Sequence, residues 1–106
     1  MNNKRYALDR YVFDTLMRDL VGHDRRPSAF LVYLALSAAS EDEVPRLSHA
    51  QLAERTGLSK RSAQEAVRHL LARNLLRATR PGPTEVTRYE VLTPWRRHPV
   101  DRSSEG

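Results

Sequence analysis

One segment constrains the fold of this chain more than any other: residues 47–76, which read LSHAQLAERTGLSKRSAQEAVRHLLARNLL. It carries apolar residues at helical spacing on both sides of Gly57. Ser48 and Ser59 precede these two runs, and serine is a favoured N-cap of helices. Gly57 tolerates the left-handed backbone that a short turn between steeply crossing helices requires. The segment therefore predicts two helices, at about residues 48–55 and 59–74, joined by a turn.

Small and apolar residues of this segment have the spacing that close packing of two helices requires. Ala53, four residues before Gly57, leaves room on the inner face of the first helix. Ala63 and Ala66 allow the second helix to press against the first. The positions expected to attach the pair to the rest of the domain are Leu52, Leu58, Val67 and Leu70.

Two helices are predicted before this segment. Asp9 is the expected N-cap of a helix that runs to about Val21 and ends at Gly22. Its apolar residues form one broad stripe, which contains Val12, Phe13, Leu16, Met17 and Leu20. Ser28 is the expected N-cap of a helix at residues 29–40. That helix is apolar nearly all round, so we expect it at the centre of the core.

Two short strands are predicted after the segment's second helix, at residues 76–79 and 86–92. The link at residues 80–84 reads RPGPT, and its proline and glycine residues favour a turn. We therefore expect a β-hairpin with Arg77 exposed and with an inward face formed by Leu76, Tyr89 and Val91.

The positive charge of the chain is segregated. The formal net charge is +5, but residues 1–45 hold six Lys/Arg against seven Asp/Glu. Residues 46–98 hold eleven Lys/Arg against four Asp/Glu, a net charge of +7. Segregated basic charge indicates a polyanionic partner, with a solvated arginine-rich surface as the alternative.

The second helix of the pair has a free polar face that suits contact with DNA. Its N-terminal turn favours phosphate because its backbone N–H groups are unpaired. Arginine can pair with guanine and glutamine with adenine, while glutamate can accept from cytosine or orient an arginine. The candidate DNA-binding residues are Ser48, Ser59, Lys60, Arg61, Ser62, Gln64, Glu65 and Arg68. The alternative is a solvent face with i,i+4 pairs such as Arg61–Glu65.

The hairpin adds two further candidate contacts. Arg80 and Arg88 lie on or near it and are expected to reach phosphates or a neighbouring minor groove. Thr84 and Thr87 are weaker candidates, as hydroxyl donors. Arg80 and Arg88 are expected to complete the footprint of the helix face on DNA.

With this pattern, the chain resembles the bacterial winged helix-turn-helix proteins of the replication-initiator and transcriptional-regulator type. The resemblance covers residues 27–92 and rests on a pattern that reads L-S-x-x-x-L-A-x-x-x-G-L-S-x-R. It implies a mainly α fold with a small β-hairpin, here with an extra N-terminal helix. The expected parts are an arm at residues 1–8, a domain at residues 9–98 with its helix pair at 48–74 and wing at 76–92, and a disordered tail at 99–106. Ala63 is smaller than the branched residue usual in such proteins, and the wing link lacks a basic tip.

The resemblance implies sequence-specific binding of double-stranded DNA as a transcriptional regulator, or alternatively as a plasmid- or phage-type replication or partition factor. A winged-helix protein-interaction module is a further alternative, because the stripe on the first helix is wide. We expect a cytoplasmic, nucleoid-associated protein. A homodimer through the N-terminal helix and the Trp95 region is also expected. Within the chain, packing of Trp95 over the first helix is favoured over stacking on a base.

Other classes of function have no residues to support them. The absence of cysteine excludes disulfides, cysteine-ligated zinc and thiol catalysis. The four histidines, read as surface or interface residues, show no metal-ligand spacing, and no glycine-rich phosphate loop occurs. We therefore expect no enzyme activity, no cofactor, no metal, no signal peptide and no membrane span.

Overall fold

The computed structural model of the protein describes residues 5–41 and 43–96. In this part of the chain, two π-helical stretches at Val12–Leu16 (π1) and Arg18–His23 (π2) precede three α-helices, at Pro27–Ser40 (α1), His49–Thr56 (α2) and Lys60–Ala72 (α3). The strands Leu76–Thr79 (β1) and Arg88–Val91 (β2) follow. The fold is mainly helical with a small two-stranded antiparallel sheet, as the sequence predicts. The predicted arm lies partly, and the predicted tail wholly, outside the described residues.

The first helical segment differs from the predicted α-helix in its winding. It is continuous over residues 10–23, and the Met17 N–H donates to the Val12 carbonyl five residues earlier, which is the π-helical bond. This winding aligns residues four apart, so Val12, Leu16 and Leu20 form one buried column. Phe13 and Met17 belong to the same predicted apolar stripe, but they lie beside this column and are 48% and 40% exposed. The core therefore covers only one column of the wide apolar stripe of this helix.

Trp95 packs over the start of the first helical segment, which confirms the packing interpretation. Its ring stacks on that of Tyr11 at 4.6 Å between centroids, and its Nε1 donates to an Asp9 carboxylate oxygen at 2.8 Å. The Arg96 guanidinium donates to the same carboxylate at 2.6 Å. Asp9 directly precedes the helical segment, and its carbonyl accepts from the Val12 N–H at 3.0 Å, but its carboxylate binds Trp95 and Arg96 rather than capping the helix. A carboxylate paired with a guanidinium makes charge-assisted hydrogen bonds, which are stronger than ordinary ones.

Helix α1 is the centre of the core, as predicted, and contacts π2, α2, α3 and β2. Its N-terminus differs from the prediction, because Ser28 lies inside the helix and Pro27 occupies its first position. Proline lacks an N–H and has a helical φ, so it starts a helix without a serine cap. The preceding helical segment also continues through Gly22. Among the described residues, no helix is both long enough and apolar enough to cross a membrane.

The central helix pair follows the predicted capping. The Ser48 side chain accepts from the Gln51 N–H at 3.1 Å, and the Gln51 side chain accepts in return from the Ser48 N–H at 2.8 Å. The Ser59 Oγ caps α3 by accepting from the Ser62 N–H at 3.0 Å. Between the helices, Gly57 has a φ of 81° and a ψ of 7°, which is left-handed backbone. Both caps and the turn are confirmed.

Replacing Gly57 with alanine should lower the free energy of unfolding by about 1 kcal/mol, because an L-residue is strained at this φ. A Cβ at Gly57 meets no atom within 4 Å, so strain rather than collision is expected. Gly22 is the matched control, since its Cβ position is equally open and its φ is not left-handed. Urea titration should show Gly57→Ala below the wild type and Gly22→Ala at or above it. Equal midpoints for the two variants would contradict the prediction.

Strands β1 and β2 pair in antiparallel register with Leu76 opposite Val91. Leu76 and Tyr89 are buried and Val91 is half-buried, so the predicted inward face is confirmed. Arg77 is exposed, as predicted, and its guanidinium donates to the Glu90 carboxylate at 2.7 Å across the hairpin.

A third extended piece, which the sequence does not predict, joins the hairpin. Arg46 forms an isolated β-bridge with Arg88, and the Tyr89 N–H donates to the Pro45 carbonyl at 2.9 Å. Strand β2 is also shorter than the predicted residues 86–92. These bonds attach the segment before α2 to the hairpin and so fix the hairpin beside the start of α2.

Candidate nucleic-acid interface

Helix α3 has one buried face and one free face. Its buried residues are Ala63, Ala66, Val67 and Leu70, and they pack on α1 and α2. The candidate residues of the free face are exposed: Lys60, Arg61, Gln64, Glu65 and Arg68. Ser59 is also exposed, whereas Ser62 is half-buried beside the cap. The fold therefore presents the candidate side chains of α3 together, along about two turns of helix.

The hydroxyl groups of the two capping serines can each donate one hydrogen bond besides the one that they accept. The Oγ atoms of Ser48 and Ser59 accept from backbone N–H groups, so each hydroxyl hydrogen remains free to donate. A hydroxyl donor beside a helix N-terminus suits a phosphate oxygen. The caps thus hold both hydroxyls at the starts of α2 and α3.

The Arg61 side chain is oriented by its neighbour on the next turn. Its Nε lies 3.4 Å from the Glu65 carboxylate, and the two side chains are 86% and 50% exposed. An exposed i,i+4 pair of this kind contributes only about 0.3–0.5 kcal/mol. The guanidinium can therefore leave Glu65 for a stronger partner at little cost.

A cleft of about 360 Å³ brings together residues that are distant in the sequence. Ser48, from the start of α2, Lys60, from the start of α3, and Arg80, from the hairpin loop, all line it. These three belong to the predicted set. Arg88 is exposed on β2 but does not line this cleft. The remaining candidates of α3 lie along the free face of that helix.

His49 is a residue of this cleft that sequence reasoning did not single out. It is half-buried at the first position of α2. Burial lowers the pKa of His49 below its ordinary value of 6.5, and the positive charges of Lys60, Arg68 and Arg80 lower it further. The one indication in the sequence was that His49 directly follows Ser48, which is a candidate DNA-binding residue.

A second set of side chains, which the sequence pattern did not indicate either, holds α3 to the segment before α1. The Asp24 carboxylate accepts from His69 Nε2 at 2.7 Å and from the Arg73 guanidinium, and it lies 2.9 Å from His23 Nδ1. The Asp24 side chain is only 7% exposed. Its burial alone would raise the pKa, but the hydrogen bonds from His23 and His69 and the charge of Arg73 outweigh it. They lower the pKa of Asp24 from 3.8 to about 2.

These contacts direct the side chains of His69 and Arg73 to Asp24. The sequence predicts His69 as a surface or interface residue, whereas its side chain is 24% exposed and bonded to Asp24. His69 lies in the last turn of α3 and Arg73 directly after it, so the bonds attach the C-terminal end of that helix to Asp24. No sequence pattern signals a bond between residues 45 positions apart.

The chain matches no family model, no curated protein and no solved structure. Its function therefore has to be inferred from the charges and contacts of its own residues.

Proposed function

We propose that the protein is a winged helix-turn-helix protein that binds double-stranded DNA, with α3 in the major groove and the hairpin on adjacent backbone or minor groove. One observation carries the proposal: the free face of α3 is polar and basic, and it continues into the basic cleft and the hairpin. An α-helix fits the major groove, where base edges are distinguishable. The net charge of +7 over residues 46–98 supports a polyanionic partner.

The roles of the side chains follow from their chemistry. Arg61 and Gln64 are exposed on α3, three residues apart, and have the groups that read guanine and adenine. Lys60, Arg80 and Arg88 are expected to contact phosphates, together with Arg68 and the hydroxyls of Ser48, Ser59 and Ser62. Glu65 is expected to orient Arg61 or to accept from a cytosine amino group.

We expect the protein to act as a transcriptional regulator in a cytoplasmic, nucleoid-associated setting. A replication or partition factor is the alternative with the same chemistry. Selection from random duplexes, followed by location of the selected sequence in the host genome, distinguishes the two. Sites beside promoters support regulation, and repeated sites at an origin or partition locus support the alternative.

Binding to duplex DNA should weaken steeply as salt rises. If Lys60, Arg68, Arg80 and Arg88 each contact one phosphate, the logarithm of the affinity should fall against the logarithm of salt with a slope of about −4. Arg80→Ala should weaken binding to all sequences alike and reduce that slope by about 1. Arg77→Ala is the matched control, because Arg77 is paired with Glu90 on the same hairpin. Absence of duplex binding at low salt would refute the proposed function.

A second candidate function is association through the first helical segment, either as a homodimer or with another protein. Phe13, Met17 and Val21 form a column beside the buried one and are 48%, 40% and 39% exposed. Leu31 of α1 is also 44% exposed. Trp95 contributes less than expected to such an interface, since it is packed within the chain. Sedimentation at several concentrations tests the dimer, and a stoichiometric protein partner that α3 variants still bind would favour an interaction module.

A further inference from the structure

The cleft between α2, α3 and the hairpin collects three groups that can carry positive charge and donate hydrogen bonds. These are the imidazole of His49, the ammonium of Lys60 and the guanidinium of Arg80, each from a different part of the fold. Among the described residues that line the cleft, Glu85, on the hairpin loop, supplies the one carboxylate. The lining thus has an excess of donors over acceptors, which suits an anion with several oxygens.

A phosphate group fits the size and the charge of this lining. The cleft is open and holds about 360 Å³, which is ample for one phosphate. A phosphate presents several strong acceptor oxygens, and lysine, arginine and protonated histidine all bind it by charge-assisted hydrogen bonds. The cleft also adjoins the exposed face of α3, so a phosphate bound there would be continuous with a duplex on that face.

We propose that this cleft binds one phosphate of the DNA backbone, and that His49 takes up a proton when the phosphate binds, so that DNA affinity depends on pH. This inference rests on the proposed function, since it takes the phosphate to be part of a duplex. It goes beyond the proposed function because DNA binding by this fold does not by itself make the affinity depend on pH.

The charges that face His49 explain why the proton is taken up only on binding. Partial burial, and after it the positive charges of Lys60 and Arg68 from α3 and of Arg80 from the hairpin, keep the pKa of His49 low in the free protein. Glu85 and the phenol of Tyr89 complete the titratable groups of the lining. A bound phosphate places negative charge beside His49. This charge favours the protonated imidazole and so raises the pKa of His49. Linkage then requires the affinity to rise as pH falls.

The test is a titration of a fluorescently labelled duplex at constant ionic strength, from about pH 5 to about pH 8. Wild-type affinity should rise as pH falls, by up to about tenfold per pH unit for one proton. His49→Gln should bind with the weaker, alkaline affinity and show little slope. His49→Lys, which keeps a positive charge, should bind with the stronger, acidic affinity throughout. Arg10→Ala is the control that keeps the slope, because it removes one positive charge from the first helical segment, which does not line the cleft.

Two measurements separate failure of this inference from failure of the proposed function. If wild type and His49→Gln bind the duplex with the same pH dependence, the proton-linked contact is refuted while DNA binding stands. The second is the pKa of the His49 ring by NMR, free, with the duplex, and with inorganic phosphate. A pKa that does not rise in the duplex complex also refutes the inference. A rise with inorganic phosphate in a protein that binds no duplex refutes the proposed function and supports the cleft as a site for free phosphate.

Discussion

Replacement of Arg61 or Gln64 by alanine is expected to remove most of the discrimination at one base position each. A bidentate contact between such a side chain and a base contributes about 1–3 kcal/mol of discrimination, which corresponds to roughly 5- to 150-fold in relative affinity. Both side chains are exposed on α3 and neither packs into the core, so the variants should fold as the wild type does. Competition binding against a panel of single-base variants of the selected site measures the loss.

The control for this experiment is Arg10→Ala. Arg10 is 92% exposed and pairs with Asp14 on the first helical segment, so its removal changes the net charge equally and should leave discrimination unchanged. If Arg61→Ala and Gln64→Ala weaken all sequences by the same factor, α3 contacts phosphates only, and base reading must come from elsewhere. If Arg10→Ala has the same effect as Arg61→Ala, the effect is one of net charge.

Replacement of Asp24 by asparagine is expected to lower the free energy of unfolding at neutral pH by roughly 2 kcal/mol. The reason is the set of hydrogen bonds from His23, His69 and Arg73, which lowers the pKa of Asp24 from 3.8 to about 2. A carboxylate whose pKa is lower in the folded state stabilises the fold above pH 3.8. That contribution is lost as pH falls from 3.8 toward 2.

The pH dependence of unfolding separates the contribution of the Asp24 charge from that of packing. Urea unfolding should show a difference between wild type and Asp24→Asn that is full at neutral pH and shrinks below pH 3.8. Asp14→Asn is the control, because the Asp14 side chain is 58% exposed and paired only at the surface, so little change is expected. A difference that stays constant down to pH 2 would assign the loss to packing rather than to the charge of Asp24.

Local sequence signals predicted the elements that carry the candidate site. The caps at Ser48 and Ser59 and the left-handed turn at Gly57 depend on residues within three or four positions, and all three are formed. The same rule predicted side-chain caps at Asp9 and Ser28, and neither side chain caps its helix: Asp9 directly precedes its helix but binds elsewhere, and Ser28 lies inside its helix. Asp9 has a distant arginine as partner, and Pro27 starts its helix without a cap, so in both cases another interaction replaced the local one.

The sequence alone determined the helix pair, the polar face of α3 and the segregation of charge, because these are properties of spacing and composition along the chain. Only the tertiary structure decided which side chains that are distant in the sequence come into contact. His49 acquires its charged surroundings because the segment at Pro45 bonds to the hairpin and closes a cleft beside α2. Asp24 meets His69 and Arg73 only when α3 packs beside the end of π2. Such contacts depend on how the elements pack. Because the partners are 45 or more positions apart, no periodic pattern in the sequence indicates them.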